Sequence, residues 1–210
     1  MARRANTGVA IRDAALELFA RRGFAGTSMR DIARHVEITP ANLYNYTPSK
    51  EHLLWEVMEH IMTELLSDLD QTLTNGPCSG GRLVGFVRRH VAYHARNRRE
   101  ARVGNTQIEF LEPDHRKQTK AFRDAYERGL RSILQAGLDA GMFGASEVRF
   151  ASFAILEMGI SVSIWYRSDG ELSVDELADL YVHFALRLVE YDAKAHADLC
   201  EDAACAAHSL

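Results

Sequence analysis

Between Ile11 and Phe19 the apolar residues Ile11, Ala14, Ala15, Leu18 and Phe19 recur at i, i+3, i+4, i+7 and i+8, which is one stripe of an amphipathic helix. Gly23-Phe24-Ala25-Gly26 stops it. A second helix starts at Thr27-Ser28, where Ser28 and Asp31 form an S-x-x-D capping pattern and Met29, Ile32, Ala33 and Val36 supply the buried face. Thr39 as N-cap and Pro40 at the first helical position open a third helix, expected to end about two turns later at Thr47-Pro48. From Ser49 to about Thr74, Leu53, Leu54, Val57, Ile61, Leu65, Leu66 and Leu69 form one stripe on an unbroken helix. Residues 75–81 read as a loop by every turn signal. Five further helical patterns follow at about 82–97, 99–112, 114–140, 146–167 and 173–194. No stretch alternates with period two for long enough to propose a sheet, so the fold class is all-α.

This pattern divides the chain into a small head (1–48), a larger helical body (49–195) joined to it through the helix of 49–74, and a tail (196–210) read as flexible. The third helix is too polar and too short to be core. Only Leu43 and part of Tyr44 are expected to look inward, which leaves Pro40, Ala41, Asn42, Asn45 and Tyr46 projecting. Small side chains allow close approach to a major groove, and an Asn amide can pair with adenine N6/N7. Glu37-Ile38 separates this helix from the one before it, the short turn that a helix-turn-helix allows.

Charge points the same way. Residues 1–50 hold eight cations (Arg3, Arg4, Arg12, Arg21, Arg22, Arg30, Arg34, Lys50) against four acids (Asp13, Glu17, Asp31, Glu37), a balance of +4 in a chain whose net charge is −4. A basic head on an acidic body is expected when only one end meets phosphate. Lys50 sharpens this. A cation in the first turn of a helix opposes the helix dipole unless an anion is brought there, and a phosphate would be that anion.

The segments Ala14-Ala15-Leu16-Glu17-Leu18-Phe19, Gly23-Phe24, Thr27-Ser28-Met29-Arg30-Asp31-Ile32-Ala33 and Leu43-Tyr44-Asn45-Tyr46, followed by Pro48-Ser49-Lys50-Glu51, resemble the N-terminal domain of TetR-family transcriptional repressors over roughly residues 7–58. Two positions depart from the family pattern: Glu37 stands where the turn usually has Gly, and Thr47 where an aromatic usually follows the recognition helix. The resemblance implies DNA contacts from Thr27, Ser28, Arg30, Thr39, Pro40, Ala41, Asn42, Tyr44, Asn45, Tyr46 and Lys50. A left-handed Glu37 would carry strain of roughly 1 kcal/mol or more.

In the body, the helix of 146–167 reads as apolar nearly all round and so needs cover on every side. Pairing it and the helix of 173–194 with their copies would make a four-helix isologous homodimer interface, with Ala151, Ala154, Met158, Tyr181, Phe184 and Leu188 in it. Dimerisation also suits DNA, since two partners would read half-sites about 34–36 Å apart in a palindromic operator. Phe86, His90, Asn105, Ile108, Phe122 and Tyr126 mix bulky apolar groups with isolated polar ones, as a ligand pocket does. Residues 93–102 and 165–173 weakly resemble the effector domain of KstR-type repressors of lipid and steroid breakdown, which respond to acyl-CoA thioesters. That resemblance implies an apolar effector channel taking in Trp165, with arginines such as Arg96, Arg98, Arg102 or Arg167 near its mouth for phosphates.

Other classes are less well supported. His90 and His94 stand one turn apart, a spacing that could face a metal with Glu109, Glu112 or His115, but no closed-site motif accompanies them, and neither a metal nor a cofactor is expected. His196, Cys200, Cys205 and His208 make a weaker set still, and three cysteines make no disulfide framework. Nucleotide loop, nucleophile elbow and paired catalytic carboxylates are all missing from the sequence, which points away from an enzyme. No apolar run approaches the roughly 18 residues of a membrane span, and Met1 to Gly8 lack an apolar signal region, so a cytoplasmic protein without a membrane partner is expected. The expectation is thus a ligand-responsive DNA-binding repressor. The alternative is a metal- or small-molecule-binding helical protein without specific DNA recognition.

Overall fold

The computed structural model describes residues 2–76, 78–144 and 147–191, with side chains from Asn6 onward. The expected tail of 196–210, with its Cys and His residues, lies outside the described residues. The described elements are α1 (Ala2–Arg22), α2 (Met29–His35), α3 (Pro40–Leu43), α4 (Lys50–Asn75), α5 (Ser79–Arg96), α6 (Arg98–Thr106), a 3-10 turn (Ile108–Phe110), α7 (Pro113–Asp139), α8 (Val148–Trp165) and α9 (Val174–Leu188). The all-α class holds, and no strand occurs among the described residues.

The chain sorts into two compact units. The first comprises the residues up to Thr63 together with Arg98–Phe122; the second comprises Glu64–Asn97 and the chain from Arg123 onward. Sequence reading gave α6 to the body, whereas the structure groups it with the head. The cause is a set of contacts with no periodic signature. Gln107 is buried and its Nε2 donates to the Phe19 carbonyl at 2.9 Å. Phe110 stacks on Phe24 with ring centroids 5.1 Å apart.

In the first unit, Ile11, Ala14, Ala15, Leu18 and Phe19 of α1 are buried with Ile32 and Ala33 of α2, Leu43, and Leu53, Leu54, Val57 and Met58 of α4. Helix α2 begins as its capping box requires: Ser28 Oγ accepts from Asp31 N at 3.2 Å, and Ser28 N donates to Asp31 Oδ2 at 3.0 Å. It ends in a left-handed residue at Glu37, φ 55°, with Ile38 N bonded to Ala33 O and Glu37 N to Arg34 O, the Schellman pairing. Among the described residues three helices end this way. Gly141 supplies the positive φ after α7, while Glu37 and Glu190 supply it after α2 and α9 without the freedom of glycine.

In the second unit α5 packs on α8 and α9. Its core includes Leu83, Phe86, Val87 and Val91 of α5, Leu130, Ile133 and Leu134 of α7, Ile155 and Val162 of α8, and Leu177, Val182, Ala185 and Leu186 of α9. Cys78 caps α5, its Sγ accepting from Gly81 N at 3.3 Å. Helix α8 also corrects an expectation. By length and composition it is apolar enough to cross a membrane, although Arg149 and Glu157 interrupt it. It is not covered all round: Val148, Ala151, Ser152, Ile155, Gly159 and Val162 are buried on one side, and Phe150, Phe153, Ile164 and Trp165 are exposed on the other. A one-sided stripe suits a partner helix better than lipid.

Candidate nucleic-acid interface

The α3 turn is built on one anchor. Thr39 Oγ1 accepts from Asn42 N at 3.1 Å and Pro40 takes the first helical position, so the start of α3 is fixed as the sequence predicts. Leu43 is fully buried, which stabilises the docked turn by about 1.5–3 kcal/mol. Around it Thr39, Pro40, Ala41, Asn42, Tyr44 and Asn45 are exposed. The helix is shorter than expected. After Leu43 the chain tightens, with Asn45 N bonded to Asn42 O at 3.1 Å and Tyr46 N to Leu43 O at 2.9 Å, a 3-10 pattern that closes before Thr47. Asn45 Nδ2 lies 3.4 Å from Asn42 Oδ1, so the two amides sit side by side on the open face.

Four assigned contacts are placed otherwise. Thr27 is buried, its hydroxyl donating to Gly23 O at 2.9 Å and set 3.3 Å from Leu18 O; it seats the α1–α2 turn instead of facing a phosphate. The Ser28 hydroxyl is engaged with Asp31, whose carboxyl that bond holds below the ordinary range. Tyr46 is half-buried and lines a cleft of about 370 Å³ with Gly8, Arg12, Glu56, Glu59, His60 and Thr63. Lys50 turns inward: its Nζ donates to Phe24 O at 2.8 Å and Thr27 O at 2.7 Å and stands 4.1 Å from the centre of the Phe24 ring. Arg30 is exposed, as expected. Thr47, the aromatic-to-Thr departure, is buried and donates to Ser49 O at 3.2 Å, filling its place with a hydrogen bond instead of a ring.

The effector residues proposed from sequence do not gather in either unit. Phe86, His90 and Tyr126 meet in the core of the second: His90 Nδ1 lies 3.1 Å from Tyr126 OH, and the Phe86 ring is 5.2 Å from that of Tyr126. Trp165 and Arg167 are exposed, and Arg167 pairs with Asp169 at 3.1 Å. Arg102 and Asn105 are exposed, and Ile108 and Phe122 half-buried, within the first unit.

His90 shows why the histidine pair is not a metal site. Its Nε2 faces the Leu156 carbonyl at 3.1 Å, an acceptor only, so Nε2 carries the proton and Nδ1 accepts from Tyr126. Both ring nitrogens are engaged. Burial pushes His90 down to about 4 and, with His90 beside it, His94 down to about 2. His94 Nδ1 is buried without a hydrogen-bond partner among the described residues. Elsewhere in this unit Arg88, Arg89 and Arg96 line a cleft of about 420 Å³ with Tyr93 and Asn97. Arg88 pairs with Asp179, and Arg89 with Asp68 and Arg96 with Asp175 at 3.4 Å each.

On the outer face of α8 and α9, Ala151 is buried against its own unit and leaves the proposed dimer set. Ala154, Met158 and Tyr181 are half-buried, and Phe184 and Leu188 are exposed beside Leu180.

A helix pair capped by Ser28 and Thr39, docked through Leu43 and followed by a mostly helical body, defines a helix-turn-helix DNA-binding protein. Residues 11–57 match the family described as bacterial regulatory proteins, tetR family, and residues 79–189 match the tetracyclin repressor-like C-terminal domain. A TetR-family regulatory protein from Rhodococcus RHA1 superposes with a TM-score of 0.83 at 31% identity, covering 89% of this chain and 98% of its own. The transcriptional repressor KstR2 of Rhodococcus jostii (strain RHA1) is 26% identical over 182 residues, 83% of this chain and 86% of the repressor. AibR, solved with isovaleryl coenzyme A and operator DNA, shares the fold at 23% identity and a TM-score of 0.78, over 89% of this chain and 100% of its own. The chain belongs to the TetR family and is a DNA-binding transcriptional repressor of that type. The relatives named above are regulatory proteins.

Proposed function

We propose that this repressor works in the cytoplasm as a homodimer, reads a palindromic operator through Thr39 to Asn45, and is released by an acyl-CoA thioester. The observation that carries the operator reading is the α3 turn, where one buried leucine holds six neighbouring exposed side chains in place. Dimerisation is supported by the exposed apolar residues Phe150, Phe153, Ile164 and Trp165 of α8 and Leu180, Phe184 and Leu188 of α9. The thioester reading is supported by the likeness to KstR2 and by the isovaleryl coenzyme A bound to AibR. Phosphates of such a ligand would meet Arg88, Arg89 and Arg96, and a polar group on its acyl part would meet the unsatisfied His94 Nδ1. Ligand and DNA then oppose each other through one equilibrium, and each weakens the other by the same factor.

The test is native mass spectrometry of the protein with DNA from its own upstream region and a panel of acyl-CoA thioesters. The expected species is a dimer on DNA that one thioester displaces. A DNA-bound dimer indifferent to every thioester would remove the effector reading and leave the repressor standing.

A further inference from the structure

A lysine at the first position of α4 poses an electrostatic problem, because the exposed amides of a helix N-terminus repel a cation. From sequence alone a DNA phosphate is the natural remedy. The structure supplies another. The Lys50 side chain leaves its own helix end and places Nζ between the Phe24 and Thr27 carbonyls, at 2.8 and 2.7 Å, with the Phe24 ring beneath it at 4.1 Å. Two carbonyl dipoles and a ring quadrupole supply the negative potential that the helix terminus lacks.

The placement of those carbonyls gives the contact its meaning. Thr27 directly precedes the cap of α2, and Lys50 directly follows the turn that ends the recognition segment. The whole helix-turn-helix, Ser28 to Ser49, is therefore a loop whose two ends meet at one ammonium. The far partner is itself held: Thr27 by its hydroxyl to Gly23 O, and the Phe24 ring by Phe110 stacked at 5.1 Å and Phe19 at 5.5 Å.

We propose that Lys50 is a positioning residue for operator reading, clamping the two ends of the helix-turn-helix together, and is not a phosphate ligand. This rests on the DNA-reading role of Thr39 to Asn45. The clamp fixes the angle at which α3 meets a groove, so its loss disturbs base reading more than backbone attraction. A phosphate ligand would behave in the opposite way.

The two roles separate in operator and random-DNA affinities measured across a salt series. Lys50→Met keeps the stem and removes the ammonium. The clamp predicts that operator affinity falls roughly tenfold or more, that the operator-to-random ratio falls with it, and that the slope of log K against log salt stays as in the wild type. Equal losses on both DNAs, with the slope reduced by about 0.9, would overturn it. A wild-type protein that prefers no DNA sequence would overturn the operator reading as well. Acetylation of the unmodified protein without DNA avoids any question of folding: Lys50 is expected to react far more slowly than the exposed Lys117 and Lys120. Equal reactivity in that experiment would also sink the clamp.

Discussion

Gly159 lies on the buried side of α8, facing His90, and its replacement by alanine is the sharpest test of the second unit's core. A Cβ there would stand 2.6 Å from His90 Nε2 and nearer still to Cδ2. The imidazole has nowhere to go: it is 2% exposed, held by Tyr126 and Leu156 at 3.1 Å on either side, with Phe86 and His94 rings at 5.6 and 4.6 Å. Displacing it strands buried polar atoms at about 1–3 kcal/mol and strains the packing by about as much again. Against this stands the helix preference for alanine over glycine, about 1 kcal/mol. The net expectation is a loss of about 1–5 kcal/mol, a fall in Tm of roughly 2–20 °C for a chain of this size. Gly104 is the control, since a Cβ there meets nothing nearer than Ile61 Cδ1 at 3.8 Å. Gly104→Ala is expected to gain up to about 1 kcal/mol. Both belong in one thermal unfolding series at fixed protomer concentration, because unfolding of a dimer depends on it. A Gly159→Ala protein melting at or above the wild type would show that His90 is not wedged as described.

Three further outcomes are expected. Glu37→Gly relieves the left-handed backbone of the helix-turn-helix and is expected to raise stability by about 0.5–1 kcal/mol in urea titration; a loss would mean that the Glu side chain stabilises the turn. His90 and His94 are held neutral in the fold at about 4 and about 2. The unfolded chain takes up protons below its ordinary value near 6.5, so stability is full above that pH and falls as pH drops toward 4, by up to about 1.4 kcal/mol per unit for each histidine. His94→Phe is expected to flatten that slope by about half, and an unchanged slope would place the protons elsewhere. Phe184→Glu sets a carboxylate in the exposed apolar stripe of α9 and is expected to yield monomer in analytical ultracentrifugation; an intact dimer would move the interface off this face.

The local devices of the head were legible in the sequence because each depends on neighbours a few residues away. The Ser28–Asp31 box, the Thr39 cap, Pro40 at the first helical position, the strained turn at Glu37 and the burial of Leu43 follow from spacing and side-chain chemistry. The apolar stripes predicted which faces would be buried and where each helix lies, although α1 begins nine residues before Ile11, and α6 and α9 end six residues before the expected 112 and 194. Tertiary structure alone decided what the polar groups face. Lys50 meets carbonyls 23 and 26 residues away, Gln107 a carbonyl 88 residues away and His90 one 66 residues away. A lysine that bonds carbonyls and one that bonds phosphate have the same local sequence, and the two differ only in what the fold brings within 3 Å of the ammonium. The same reason governs α6, whose amphipathic pattern fits either unit until Gln107 and Phe110 find Phe19 and Phe24.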